Sequence, residues 1–379
     1  MRASPPTVAL RAWVGVTVAN FQLERIVLGA FVVSRLLLIV AAAVAESIVP
    51  HGRNLDAGDG APILASLTGW DGWFYLGIAR DGYHADPVRG PYHDTAFAPL
   101  YPMVIRILSA PWPAFTGLVA VVLSNLLFLA ALGLLTTLGS IHLDKRRSAT
   151  AAALLAIYPF ASVFGMAYTE SLFLLLMVAS FLAAERRNRA LAGIFLALAV
   201  LTRLQGIALI LPLGLLMVRQ DGWRPRASQA WLLLGAAAAI GFALYVGSVS
   251  GSLTGYLDAL RAWGKAGPGS SAADRTLGAA FSLEQGALLL TLLASVYLLV
   301  FSRVDRIRLE YVLIPIVFIA AVLSSGSLES AGRYTMLAFP YVWILAGRSS
   351  WLARRAWPMI SVALFTLVAV LSFAQYWVP

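Results

Sequence analysis

The stretch "IVLGAFVVSRLLLIVAAAVAE" (residues 26–46) carries one charged side chain, Arg35, before its last residue. About 20 consecutive apolar residues form a helix long enough to cross the hydrocarbon core of a bilayer. Such runs recur along the chain, which has 379 residues, 60% of them hydrophobic and 12% charged. The mean hydropathy of +0.81 excludes an ordinary water-soluble domain. The sequence therefore predicts an all-α polytopic membrane protein with a retained, uncleaved first helix.

The apolar runs and the residues that interrupt them predict about eleven membrane crossings in one continuous bundle. Residues 1–250 are expected to form a core transmembrane module that includes a first external loop, 47–113, and residues 251–379 a C-terminal transmembrane module. Arginines flank both ends of the apolar stretch 191–218, so the chain is expected to turn back near Arg203. The predicted spans are residues 26–46, 114–140, 149–166, 168–184, 190–202, 204–218, 229–250, 281–301, 309–324, 334–347 and 357–376.

The basic residues predict the orientation of the chain. The formal net charge is +10, but the arginines stand in short clusters between apolar runs, as in "KRR" (145–147). This pattern places basic loops in the cytoplasm and argues against nucleic-acid binding. Most of the 28 Lys and Arg residues then lie inside with the N-terminus, and the long polar loops 47–97 and 251–280 face outside. The absence of cysteine excludes disulfide and thiolate chemistry.

The first external loop contains "GWDGWFYLGIARDGYH" (69–84), which mixes charged side chains with aromatic rings. A helix beginning at Trp70 or Asp71 would gather the rings on one broad apolar side and lie along the membrane surface. A second interfacial helix is predicted over 103–108, after the prolines of "FAPLYP" (97–102). Asp71 at a helix start has two interpretations, an N-cap that accepts backbone N–H bonds or a catalytic carboxylate at the depth of the lipid headgroups.

Charged residues farther along the chain are predicted to reach the same outer face. Glu170 in "YTESLF" stands where a helix begins, and Arg203 in "TRLQG" stands at the predicted outer turn. Arg333 lies with Glu329 in the last outside loop. A helix-terminal carboxylate, an arginine reaching the interface and a rim salt bridge are the structural alternatives for these residues. Arg35 lies mid-span, where an arginine is costly, and a buried structural pair is one explanation for it.

The first loop also concentrates potential metal ligands. No HxH, HxxxH or DxD spacing appears among them, so the sequence indicates no metal cofactor, although carboxylates and imidazoles are the ligand types that a divalent metal uses. The residues concerned are His51, His84, His93, Asp56, Asp59, Asp81, Asp86 and Asp94.

Five blocks occur along the chain in the order "WDGWFYLGIARDGY", "FAPLYP", "YPFASVFGMAYTESLF", "RLQG" and "GRYTMLAFP". Together they resemble a known family, the PIG-V mannosyltransferases of the GT-C superfamily of membrane glycosyltransferases. The resemblance covers roughly residues 24–345 and implies a GT-C-like bundle that moves mannose from a polyprenyl-phosphate-mannose donor to a lipid or glycolipid acceptor outside the cytoplasm. It also implies that Asp71 is the catalytic base. The short loops and the Ala, Leu and Arg content are typical of a bacterial member in the plasma membrane, which leaves the acceptor open.

The implied chemistry needs a base for the acceptor hydroxyl, a cation for the leaving phosphate and a groove for the lipid. Direct displacement would invert the anomeric carbon, and one carboxylate suffices because a phosphate leaves without an acid. Arg203 is the first candidate for the phosphate, since its planar guanidinium binds two oxygens, and Arg333 is the second. The remaining predicted contacts are His84 and His93 to the phosphate, and Trp70, Trp73, Tyr75 and Glu170 to the sugar, with Glu170 alternatively orienting Arg203.

Other functions stay open at the level of sequence. A related GT-C transferase could use another lipid-linked sugar, such as arabinose, glucose or aminoarabinose. A lipid-linked sugar transporter is less favoured, because the polar residues collect at one outer face and no paired broken helices appear. A purely structural membrane protein is the third alternative.

Overall fold

The computed structural model describes residues 25–48, 61–88, 93–263, 283–301, 307–324, 331–348 and 355–374. Within these residues the chain is helical and contains no strand, as the sequence predicts. The α-helices of the described residues are α1 (Arg25–Ile48), α2 (Pro62–Thr68), α3 (Asp71–Asp81), α4 (Leu100–Ser109), α5 (Thr116–Gly139), α6 (Lys145–Ala156), α7 (Glu170–Glu185), α8 (Arg189–Thr202), α9 (Ile210–Gln220), α10 (Leu233–Ser250), α11 (Gly255–Ala262), α12 (Leu283–Phe301), α13 (Leu309–Ser324), α14 (Ala331–Met336), α15 (Pro340–Gly347) and α16 (Trp357–Phe373).

Every predicted span contains helix, but two of the spans are not continuous. The span 149–166 stops at the end of α6 and resumes as a 3₁₀ helix, Ala161–Gly165, because Pro159 disfavours helical geometry in the residue before it. The span 334–347 is divided between α14 and α15, and Pro340 opens the second helix at its first turn. Among the described residues, three helical stretches are long and apolar enough to cross a membrane. The number of crossings therefore stays a prediction.

The predicted turn at Arg203 is confirmed. Helix α8 ends at Thr202, Arg203 is extended with φ −151° and ψ 120°, and a 3₁₀ helix (Leu204–Leu209) leads into α9. The two helices predicted in the first loop are also present, as α3 and α4, and their location at the membrane surface stays a prediction. These elements bring the start of α3, the start of α7 and the end of α8 into one region.

Helix α7 forms the centre of the bundle. It is apolar around its whole circumference and nearly all of its residues are buried, which is the pattern of a helix enclosed by others. It packs against α5 on one side and α8 on the other. The outer helices differ, since α1 exposes large apolar side chains such as Val32 and Leu36. The first residue of α7, Glu170, is therefore held at a well-packed position.

The other end of α7 carries a second group of buried charges. Glu185 accepts hydrogen bonds from Arg308 at 3.0 Å and from the Tyr311 phenol at 2.9 Å. The neighbouring carboxylate, Glu310, is fully buried, and its Oε2 accepts a hydrogen bond from Arg219 Nη1 at 3.1 Å. With 16 residues, α7 separates these charges from Glu170 by about 24 Å. They connect α7, α9 and α13 at the end of α7 opposite Glu170.

Arg35 is partly buried, but its partner is an amide. Its Nη1 donates to Asn125 Oδ1 at 2.9 Å, and the guanidinium lies 5.2 Å from the ring centroids of both Phe31 and Phe128. Asn125 in turn donates to the carbonyl of Gly165 at 3.3 Å. The expected structural pair is thus an arginine–amide contact that reaches the irregular segment preceding α7.

Replacing Gly193 by alanine is expected to destabilise the bundle. A Cβ atom at Gly193, in α8, would collide with the carbonyl group of Trp231, and backbone yields less readily than a flexible side chain. Such overpacking costs about 1–3 kcal/mol. Thermal unfolding of the purified protein in detergent measures the effect. Gly29→Ala in α1 is the matched control, since nothing lies within 4 Å of the added atom. Equal melting temperatures for the two variants would contradict this packing.

Candidate active site

Helix α3 begins at Asp71, and the residue before it has an unusual backbone. Trp70 has φ 57° and ψ −126°, a backbone conformation that residues other than glycine rarely adopt. Its indole Nε1 donates to the carbonyl of Ser372 at 3.0 Å, which anchors this turn to α16. The N-cap position belongs to Trp70, and no side chain caps the helix. The N-cap interpretation of Asp71 is therefore wrong, and strain of this kind concentrates at functional sites.

The Asp71 side chain instead enters a cluster of alternating charges. Arg333 Nη1 donates to Asp71 Oδ2 at 2.5 Å, and Arg333 Nε lies 3.5 Å from Glu170 Oε1. Glu170 Oε1 also accepts a hydrogen bond from Arg203 Nη1 at 2.5 Å. Two carboxylates and two guanidinium groups thus form one neutral group, here called the charge cluster. The side chains of Glu170, Arg333 and Arg203 are 0%, 2% and 7% exposed, whereas Asp71 is 13% exposed.

This burial decides between the alternatives left open by the sequence. Arg203 does not extend toward the interface, because it is buried against Glu170 and donates to Thr169 Oγ1 at 2.9 Å. Arg333 is not in a rim salt bridge, because its partner is Asp71 of the first loop. Glu329, its predicted neighbour, lies outside the described residues. Of the two roles predicted for Glu170, the orientation of Arg203 matches the observed contact.

Aromatic rings enclose the charge cluster. The guanidinium of Arg203 lies 4.6 Å from the ring centroid of Tyr334, and that of Arg333 lies 5.4 Å from the ring of Tyr168. The backbone N–H of Asp71 donates to the Tyr168 phenol at 3.3 Å. Burial, and then the negative charge of Asp71, raise the pKa of the Tyr75 phenol above its ordinary value, so this phenol stays neutral. The rings reduce the access of water and strengthen the ionic contacts.

The charge cluster opens into a pocket between the first loop, the turn at Arg203 and α11. Asp71, Arg203 and Arg333 contribute to its wall, and so does Tyr75 of the predicted sugar contacts. Several other members of the wall were not predicted, although Gln205 stands within the "RLQG" block and Tyr334 within "GRYTMLAFP". The missed wall residues with polar groups or indole rings are Thr202, Gln205, Tyr256, Trp263 and Tyr334.

Five predicted substrate contacts lie outside this wall, namely Glu170 and the first-loop residues Trp70, Trp73, His84 and His93. His84 is exposed and its Nδ1 lies 2.8 Å from Asp94 Oδ2, while the carbonyl of His93 accepts the indole N–H of Trp263 at 3.1 Å. Trp73 packs edge-on against Phe74, and Trp70 is bonded to α16 as described above. These side chains shape the first loop around the pocket. No group of three or more potential metal ligands occurs among the described residues.

Two solved structures share much of this arrangement of helices. The apo oligosaccharyltransferase of Archaeoglobus fulgidus superposes with a TM-score of 0.51 at 14% identity, over 93% of this chain and 56% of that protein. ArnT from Cupriavidus metallidurans, solved with bound undecaprenyl phosphate, gives a TM-score of 0.50 at 16% identity, over 96% of this chain and 76% of that protein. The chain thus spans little more than half the length of the archaeal protein. A search of the curated proteins gives no match.

The fold is that of the GT-C class of helical membrane proteins, as predicted. Residues 60–220 match the family model described as Mannosyltransferase (PIG-V), so the resemblance noted in the sequence is confirmed there. Asp71, Glu170 and Arg203 fall inside the matched region. Arg333 lies beyond it and joins the site through the tertiary structure.

Proposed function

We propose that the protein is an inverting glycosyltransferase that moves mannose from a polyprenyl-phosphate-mannose donor to a hydroxyl of a lipid or glycolipid acceptor on the extracytoplasmic face of a bacterial plasma membrane. The observation that carries this proposal is the charge cluster itself. It joins the first-loop carboxylate of the matched family region to two buried arginines at the wall of a single pocket. The undecaprenyl phosphate bound to ArnT, which has the same fold, supports a polyprenyl phosphate as the carrier.

In the proposed reaction Asp71 accepts the proton of the acceptor hydroxyl while that oxygen attacks the anomeric carbon. The bond from the anomeric carbon to the phosphate oxygen breaks, and the polyprenyl phosphate leaves with the electron pair. Asp71 suits the role of base because it is the most exposed member of the cluster. Arg203, held by Glu170 and Thr169, is a preorganised cation for the charge that develops on the phosphate.

An apolar cavity of about 490 Å³ beside the site suits the isoprenyl chain of the donor. It lies between α3, α4 and α10, and Met103, Leu201 and Phe242 contribute to its wall, with the exposed Arg106 also lining it. Tyr83 also lines the cavity, and its hydroxyl donates to the carbonyl of Phe97 at 2.8 Å. Phe97 in turn lines the pocket of the charge cluster. A donor with its phosphate at the cluster would thus have an apolar surface close by.

Filling this cavity is expected to weaken the binding of long-chain donors. Gly241 lines the cavity, and nothing lies within 4 Å of a Cβ atom added there, so Gly241→Phe adds its side chain from an uncrowded position. We expect the KM for a donor with a long polyprenyl chain to rise about tenfold, which corresponds to the loss of a few buried CH₂ groups. A donor with a short isoprenyl chain, and the control Gly241→Ala, should show little change. An equal rise for both chain lengths would contradict the assignment.

The proposed function is tested with purified protein in detergent or nanodiscs. Synthetic polyprenyl phosphates carrying mannose, arabinose, glucose or aminoarabinose are supplied with a panel of lipid and glycolipid acceptors, and the glycosylated product is identified by mass spectrometry. We expect transfer from the mannose donor with inversion at the anomeric carbon. Transfer from another donor alone would replace mannose in the proposal. Movement of an intact donor across sealed proteoliposomes without any product would instead favour a transporter.

A further inference from the structure

The charge cluster is already neutral before any substrate binds, which raises the question of how it accepts an anionic donor. Asp71 and Glu170 each carry a negative charge, and Arg333 and Arg203 each carry a positive one. A phosphodiester adds a further negative charge. A buried excess charge is costly, so one of the cations must change partner or be shared when the donor binds.

We infer that Arg333 is the cation that changes partner, pairing with Asp71 in the free protein and with the donor phosphate in the complex. This inference rests on the proposed function. Arg333 Nη1 is bonded to Asp71, which is the most exposed member of the charge cluster. Arg333 Nε lies within ion-pair distance of Glu170 but forms no hydrogen bond among the described residues, although it is fully buried. The guanidinium therefore lies between two carboxylates with a donor group still available.

Arg203 is a poorer candidate for exchange. Its Nη1 is bonded both to Glu170 Oε1 and to Thr169 Oγ1, and Glu170 is fully buried with no access to water. Moving Arg203 away would remove both hydrogen bonds of its Nη1 and leave Glu170, which no solvent can reach, with the 3.5 Å contact to Arg333 Nε as its remaining ion pair among the described residues. Moving Arg333 away from Asp71 exposes a carboxylate on the pocket wall, where water or an acceptor hydroxyl can bind it.

The change of partner by Arg333 matches the movement of negative charge during the reaction. Before transfer, the negative charge of the base is on Asp71. Afterwards Asp71 is protonated, and the same unit of charge is on the released polyprenyl phosphate. The net charge of the site is unchanged, so an arginine that moves from Asp71 to the phosphate keeps it compensated throughout. A carboxylate paired with Arg333 is also a weak base, so the exchange makes donor binding a condition for activating the acceptor.

Removing the carboxylate should therefore improve donor binding while it blocks transfer. We expect Asp71→Asn to bind undecaprenyl phosphate about tenfold more tightly than the wild type, because Arg333 no longer has to leave the Asp71 carboxylate. Farnesyl phosphate should show a similar gain, since the exchange concerns the phosphate and not the chain. Titration of the intrinsic tryptophan fluorescence in detergent, cross-checked by calorimetry, measures both affinities.

Two further variants isolate the exchange. Asp81→Asn, at the exposed end of the same helix, is the matched control and should bind as the wild type does. The double variant Asp71→Asn with Arg333→Gln should lose the gain, because the released cation is then missing. Equal or weaker binding by Asp71→Asn would overturn the exchange alone, whereas a complete lack of binding by every variant would overturn the polyprenyl-phosphate donor and with it the exchange.

Discussion

Replacing Asp71 by asparagine is expected to lower kcat for sugar transfer about a thousandfold, within the range that a general base contributes. Asparagine has nearly the same shape, and its oxygen can still accept from Arg333, so the loss would come from the missing proton acceptor. KM for the donor should not rise, because the phosphate is bound by the arginines. Initial rates with varied donor and acceptor concentrations separate the two constants.

The control for this result lies in the same helix. Asp81, the last residue of α3, is exposed, and Asp81→Asn changes the protein charge by the same amount without touching the pocket. Its kcat should stay within about twofold of wild type, as expected for a surface substitution. If a folded Asp71→Asn protein keeps more than about a tenth of the activity, the base lies elsewhere, because base catalysis contributes at least about a hundredfold.

The second large effect is expected for Glu170→Gln, which removes the carboxylate shared by Arg203 and Arg333. Breaking a buried pair by removing one partner costs about 3–5 kcal/mol, because the remaining charge cannot be solvated. The free energy of unfolding should fall accordingly, and the melting temperature in detergent should drop by several degrees. Arg203 also loses the contact that orients it, so the rate for the folded fraction should fall as well.

Glu310 allows the stability effect to be separated from the catalytic one. It is as deeply buried as Glu170 and also faces arginines, but it lies at the opposite end of the bundle. We expect Glu310→Gln to lower the melting temperature while leaving kcat of the folded protein near the wild-type value. Equal losses of kcat in the two variants would mean that Glu170 acts only through stability.

Local features of the chain were predicted well because they depend on neighbouring residues. The period and length of apolar runs determine where helices form in a membrane, and the arginines flanking residues 191–218 were enough to predict the turn at Arg203. The start of α3 at Asp71 and the start of α7 at Glu170 followed from the same kind of signal. The two divided spans were missed because the length of an apolar run outweighed its prolines.

The sequence alone determined the membrane class, the helical segments and the identity of the charged residues near the outer face. Only the tertiary structure decided which charges meet. Asp71 and Arg333 are 262 positions apart, yet they form an ion pair, and His84 and His93, close to Asp71 in sequence, lie outside the pocket wall. The physical reason is that helical periodicity fixes the direction of a side chain relative to its own helix. Distances between helices, in contrast, depend on the packing of the whole bundle. In this bundle the buried helix α7 presents Glu170 to two arginines that are distant in sequence, Arg203 and Arg333.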